Sequence, residues 1–335
     1  MNDRRLRQNR SPISGWEELL IVWGIYAAIG IAIFITYARF PASDFYNVSG
    51  SGVSGSASRV LVYLNFPVAF AAIALLGFAV SSLIHRDTSF SQRGRRSIGF
   101  TAVLALLLCL VAALPGVVSQ SDLDARAVNV IPAIGVVLVV LLTILGIQCG
   151  AAFTSIPWGR WDRNGAIAIG VLLFFALPWA LADFGFYIGD IPLIGRIFTS
   201  KDFLPAGETL RAVHLGDHHG YDGFIFIVVA IILGRKLRKI QPSSLRVALG
   251  WYLAFMMVYG LANDLNDIWL EQIVKRGWST YQIPDMLVPK FRPSWGLVVL
   301  GTVAARFLLF RGRAPHLERP DPTIAPATPA AAPKR

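Results

Sequence analysis

Apolar, nearly charge-free runs of about 20 residues recur along this chain, each long enough to cross the hydrocarbon core of a bilayer as a helix. They occupy about 17–38, 59–84, 98–118, 130–152, 165–187, 217–234, 246–266 and 294–310. The fold expected from them is all-α: a polytopic membrane helix bundle of eight transmembrane helices, with both termini cytoplasmic. Residues 17–311 form that domain, and long outer loops at 189–213 and 267–293 interrupt it. A basic cytoplasmic segment, 1–16, precedes it, and a Pro/Ala-rich cytoplasmic tail, 312–335, follows it. The tail has almost nothing to bury and is expected to be disordered. The first apolar run is too long for the core of a signal peptide and has no small-residue cleavage site after it, so it reads as a retained span.

Charge orients the bundle. The chain carries a net charge of +11, which in a soluble protein would direct attention to nucleic acid. With both termini and every second loop inside, the inner side has 21 Lys and Arg against 7 acids, and the outer side 10 against 13. Lys and Arg concentrate on cytoplasmic loops by the positive-inside rule, and here that rule accounts for the whole basic excess. Arg235-Lys-Leu-Arg-Lys239 is the strongest such marker, and nucleic acid needs no place as a partner. The expected setting is integral and multi-pass, in a bacterial plasma membrane. Trp16, Trp158, Trp161 and Trp251 fall at the inner interface on this scheme, and Trp269, Trp278 and Trp295 at the outer one. Cys109 and Cys149 both lie within spans, one near the middle and one near a cytoplasmic end, so no disulfide is expected between them. The Gly/Ser-rich stretch 49–58 reads as part of a flexible outer loop.

Three of the five histidines, His214, His218 and His219, fall in the stretch Arg211-Ala-Val-His-Leu-Gly-Asp-His-His-Gly-Tyr-Asp222. On a helix His214, Asp217, His218, Tyr221 and Asp222 share one face. The next hairpin brings Asp264, Asp267 and Glu271 to the same depth, again on one face, and span five brings Asp183 near its outer end. The turn joining spans six and seven is short, so their outer ends are expected side by side. Imidazole with carboxylate is the donor set of zinc and of non-haem iron or manganese. The expected metal ligands are therefore His214, His218 and Asp222, with Asp264 and Asp267 completing the shell and Asp183 as the catalytic orienter or base. A divalent metal such as zinc would activate water or polarise a carbonyl or phosphoryl oxygen of a lipid or lipid-linked substrate. Against this, the same residues serve equally as solvated loop groups or helix caps, since Gly216, Gly220 and Gly223 interrupt the stretch. Two other functions compete: a non-catalytic membrane protein docking a protein partner through its outer loops, and a transporter, which needs polar residues deep in the bundle where few occur. Arg306, in the last span, is expected to reach the cytoplasmic head groups.

Overall fold

The computed structural model describes residues 15–39, 52–84, 90–114, 117–118, 125–149, 160–183, 192, 219–274, 277–284 and 292–310. Among them the regular structure is entirely helical. Helix α1 spans Glu17–Arg39, α2 Gly52–Tyr63, α3 Ala69–Ile84, α4 Gln92–Leu110 and α5 Val130–Gln148. Then follow α6 (Arg160–Asp183), α7 (His219–Gly234), α8 (Ser243–Asp267) and α9 (Pro293–Leu308). In hydrocarbon a helix satisfies its backbone polar groups within its own segment, which is why apolar runs of this length take that form.

Among the described residues five helical stretches are long and apolar enough to cross a membrane: Glu17–Thr36, Gly55–Ile84, Gln92–Ala113, Ala127–Gln148 and Ser243–Leu270. The other three expected spans coincide with shorter described apolar lengths, Arg163–Phe174, Asp222–Gly234 and Pro293–Leu308. Large apolar side chains such as Phe100, Leu297 and Leu308 stand exposed on the bundle's outside, where lipid is the natural solvent. The basic lead-in 1–14, the tail 312–335 and nearly all of the loop 189–213 lie outside the described residues.

The most enclosed of the five stretches is Gly55–Ile84. It joins α2 to α3 through a widened π turn, Leu64–Val68, that contains Pro67. Proline lacks the N–H for an i→i−4 bond and its ring crowds the preceding turn, so the helix widens there instead of breaking. Helix α2 starts well before residue 59 and takes in much of the stretch expected to be a flexible loop, with Ser56 and Arg59 buried. Tertiary contacts override the weak helix propensity of Gly and Ser here. Tyr63 donates its hydroxyl to the Tyr26 carbonyl of α1 at 3.3 Å, and Ser58 accepts the Ala125 N–H at 2.8 Å. Around the π turn, Phe66 and Phe70 meet Phe226 of α7 at 5.8 and 5.0 Å between ring centroids. Tyr259 of α8 lies on Phe255 and reaches Trp295 of α9 at 5.8 Å, so an aromatic layer ties α3, α7, α8 and α9 together.

Other expectations shift in detail. Helix α4 starts at Gln92, capped by the Ser91 hydroxyl on the Gly94 N–H, so Arg93, Arg95 and Arg96 sit in its first turns rather than in a loop. Cys109 is buried, Cys149 is exposed, and both are free. Trp16, just before α1, is fully buried, its ring pressed against Gly146 of α5.

The basic marker Arg235–Lys239 is not wholly solvated either. Lys236 is completely buried, its Nζ 2.6 Å from Glu18 Oε2 and 3.6 Å from Glu17 Oε2, and it donates to the Gly15 carbonyl. Arg235 adds a second contact to Glu18 at 3.5 Å. The first turn of α1 is favoured by acids and the end of α7 by cations, so both helix dipoles support the pairing. This ion network fastens the start of α1 to the end of α7.

Candidate functional site

Helices α7 and α8 form an antiparallel hairpin and, among the described residues, pack on each other more extensively than any other helix pair. They cross at two glycines. A Cβ on Gly223 would lie 2.5 Å from the Gly260 carbonyl oxygen, and a Cβ on Gly260 would collide with the Gly223 carbonyl. Only hydrogen fits on either side, and the backbones come into direct contact.

That crossing brings the acids of the two helices together. Asp264 lies one helical turn beyond Gly260 and Asp222 directly precedes Gly223. Asp264 is 6% exposed and Asp267 3%, while Asp222, in the first turn of α7, is half-buried. The Asp264 Oδ1 points at Gly223, 2.7 Å from where a Cβ would stand, and has no hydrogen-bond partner. The Phe224 backbone N–H reaches the same carboxylate, and Asp267 and Asp222 are close enough for their charges to act on it. Two amides complete the polar end of α8: Asn263 Nδ2 donates to the Tyr259 carbonyl at 3.0 Å and Asn266 Nδ2 to the Pro284 carbonyl at 3.0 Å.

A return segment closes over this end. Helix α8 runs on into a π turn, Ile268–Val274, and the chain reverses at Gly277, whose φ of 74° suits glycine. Trp269 Nε1 then donates to the Tyr281 carbonyl at 2.8 Å, which with the Asn266–Pro284 bond holds residues 277–284 across the end of α8. These residues belong to the loop expected at 267–293, which is therefore packed down in part rather than free.

Of the expected site residues, the structure brings together Asp222, Asp264 and Asp267. Asp183 is the last residue of α6, a helix that packs on α7, but its side chain lies outside the described residues, as does that of Glu271. His214 and His218 also lie outside them. Among the described residues no group of three His, Cys, Asp or Glu side chains is placed to hold a metal ion, so the three aspartates do not make a metal site by themselves. Gly223, a weak residue for a helix by propensity, does not interrupt α7, which runs through it unbroken and uses it for the crossing. The usable signal was a glycine one residue from an acid on one span and one turn from an acid on the next.

The fold and this polar end define an integral membrane protein built of apolar helices, with a carboxylate cluster enclosed at one end of a tight helical hairpin. No protein-family model matches the chain, and neither a curated protein nor a solved structure does.

Proposed function

We propose a multi-pass protein of a bacterial plasma membrane, with eight spans and both termini cytoplasmic, that works through a polar pocket at the outer ends of α7 and α8. The alternation of basic and acidic connections supports the eight spans and their orientation. In the pocket Asp264 is the central acceptor, with Asp222 and Asp267 beside it. His214 and His218, on the segment leading into α7, supply the imidazole nitrogens that three carboxylates alone lack. A divalent metal such as zinc held by this set would polarise a carbonyl or phosphoryl oxygen or lower the pKa of bound water. Asp183 acts as orienter or base, and the substrate is a lipid or lipid-linked molecule entering from the outer leaflet.

The observation that carries the reading is the Asp264 Oδ1, a buried carboxylate oxygen without a hydrogen-bond partner, with two further aspartates close by. A carboxylate enclosed at the end of a span is costly unless a counter-charge meets it, and like charges nearby raise that cost. Elemental analysis of the purified chain is the test. About one equivalent of a divalent metal is expected in the native protein, and loss of most of it in Asp264→Asn and in His218→Ala. Native protein free of divalent metal would remove this reading.

One observation favours docking as a second reading. Trp278 and Tyr281, on the return segment, are 71% and 66% exposed, and aromatic side chains held out on an ordered strap suit a protein partner. Transport finds less support, because the layer next to the carboxylates is filled by Phe66, Phe70, Phe226 and Tyr259.

A further inference from the structure

At the opposite end of the bundle, where α7 stops and α8 starts, four cations among the described residues remain outside the Lys236 network. Glu17 and Glu18 there are engaged by Lys236 and Arg235. Arg238 and Lys239 stand exposed on the 3-10 turn Leu237–Lys239, Arg246 is half-buried in the first turn of α8, and Arg306 is half-buried near the end of α9. None of these four makes an ion pair among the described residues.

They gather around one point, Gly250 of α8. A Cβ there would lie 3.0 Å from Arg306 Nε and 3.4 Å from Leu237 Cδ2. Leu237 carries Arg238 and Lys239 directly after it, and Arg246 precedes Gly250 by one turn on the same face of α8. The short turn after α7, the start of α8 and the end of α9 therefore meet in one crease at Gly250, with Arg306 in it and Arg246, Arg238 and Lys239 on the elements that border it. Gly234 at the end of α7 is set against the Phe310 ring.

Arg306 gives the crease its chemistry. Its guanidinium lies 5.7 Å from the centre of the Trp251 ring, and its Nη1 donates to the Phe310 carbonyl at 2.8 Å. Its Nε is buried without a hydrogen-bond partner, and its Nη2 has no acceptor among the described residues. The side chain does run toward the end of its helix, as snorkelling requires, but the ring and the carbonyl hold it in the crease. Gly250 lies roughly 10 Å along α8 from Ser243, so the guanidinium sits inside the end of an apolar helix pair. A ring face and a carbonyl soften the cost of a cation there without neutralising it. The anion always present at this depth is the phosphodiester of a lipid head group, and basic clefts between spans bind anionic head groups.

We propose that the crease between the Leu237–Lys239 turn, α8 and α9 is a binding site for the phosphate of an anionic phospholipid. Arg306, held by the Trp251 ring and the Phe310 carbonyl, directs its Nη2 to the phosphate oxygens, which a planar guanidinium can do while keeping both contacts. Arg246, Arg238 and Lys239 add charge around the head group. This site is separate from the aspartate pocket, and its assignment does not depend on the metal reading.

The test uses the purified full chain in detergent, titrated with phosphatidylglycerol or phosphatidylcholine and followed by native mass spectrometry and thermal unfolding. Phosphatidylglycerol should bind at least about tenfold more tightly, the scale of one charge-assisted hydrogen bond. Arg306→Gln should remove most of that preference and Arg306→Lys should restore only part of it. If Arg306→Gln fails to insert, Arg246→Gln with Lys239→Gln, both on accessible positions, should lower the preference several-fold. Equal binding of the two lipids would overturn the proposal, as would undiminished preference in the folded variants. Saturation of the same stabilisation by millimolar inorganic phosphate would overturn the lipid assignment in favour of a free anion.

Discussion

Lys236→Met is expected to be among the most damaging single substitutions in this chain. The ammonium has no exposure to water, and the residue it lies closest to, Glu18, is 5% exposed. Removing one partner of a buried ion pair leaves the other charge enclosed without compensation, typically at a cost of 3–5 kcal/mol. Arg235 stays within 3.5 Å of Glu18 and moderates the loss, so about 3 kcal/mol is the expected figure. Thermal unfolding of the purified variant should show an apparent Tm lower by several degrees. Changing both residues, Lys236→Met with Glu18→Met, should recover much of the loss, since well-packed apolar side chains often replace a buried pair at little cost. A single variant as stable as the native protein would show that the start of α1 is not fastened to α7 by this contact.

Gly260→Val should have a comparable effect by a different route. The atom that a new Cβ meets is the Gly223 carbonyl oxygen, part of the α7 backbone, and it cannot rotate aside as a side chain would. Helices α7 and α8 would have to move apart, opening the most extensive contact in the bundle. Overpacking of this kind costs about 1–3 kcal/mol and at times more, and a β-branched residue belongs at the upper end. Gly223→Ala should act in the same direction, because its Cβ would press on both the Gly260 carbonyl and Asp264 Oδ1. The two substitutions share one contact, so their combined effect should fall short of the sum. Gly170→Ala is the control: nothing lies within 4 Å of a Cβ there, and alanine favours helix. Unfolding midpoints of the three variants would separate close approach from a general intolerance of alanine in spans. If Gly260→Val unfolded no earlier than Gly170→Ala, the glycine crossing would not govern the hairpin.

What could be read from the sequence was whatever rests on periodicity and length. The apolar stretches declare themselves because a bilayer demands long uninterrupted runs, and most described helix starts fall within a few residues of expectation. The pairing of α7 with α8, and with it the meeting of Asp222, Asp264 and Asp267, followed from a short connection. What failed depended on partners far along the chain. Gly15 and Lys236 are 221 positions apart, and no local pattern marks that lysine as buried rather than solvated. The start of α2 looked like a loop because its glycines and serines favour loops; its packing on α1 is a tertiary fact. Likewise, Gly77, Gly135 and Gly146 sit hard against neighbouring helices and Gly30 is in ordinary contact with Tyr63, while Gly24 and Gly170 face open space. A single sequence shows that a glycine is present but not what lies opposite it.

The aspartate pocket and the Lys236 network are expected on opposite sides of the membrane, and accessibility labelling tests that directly. Cys149 is exposed and would react from its own side, so the measurement uses a Cys149→Ser background, with Cys109 left buried. Ser279, on the return segment over the pocket, and Ser243, at the start of α8, are each replaced by cysteine in turn. Intact cells are then treated with a membrane-impermeant thiol reagent. Reaction at Ser279→Cys without reaction at Ser243→Cys until the cells are opened is the predicted result. Labelling of Ser243→Cys in intact cells would place the start of α8 outside and contradict the account.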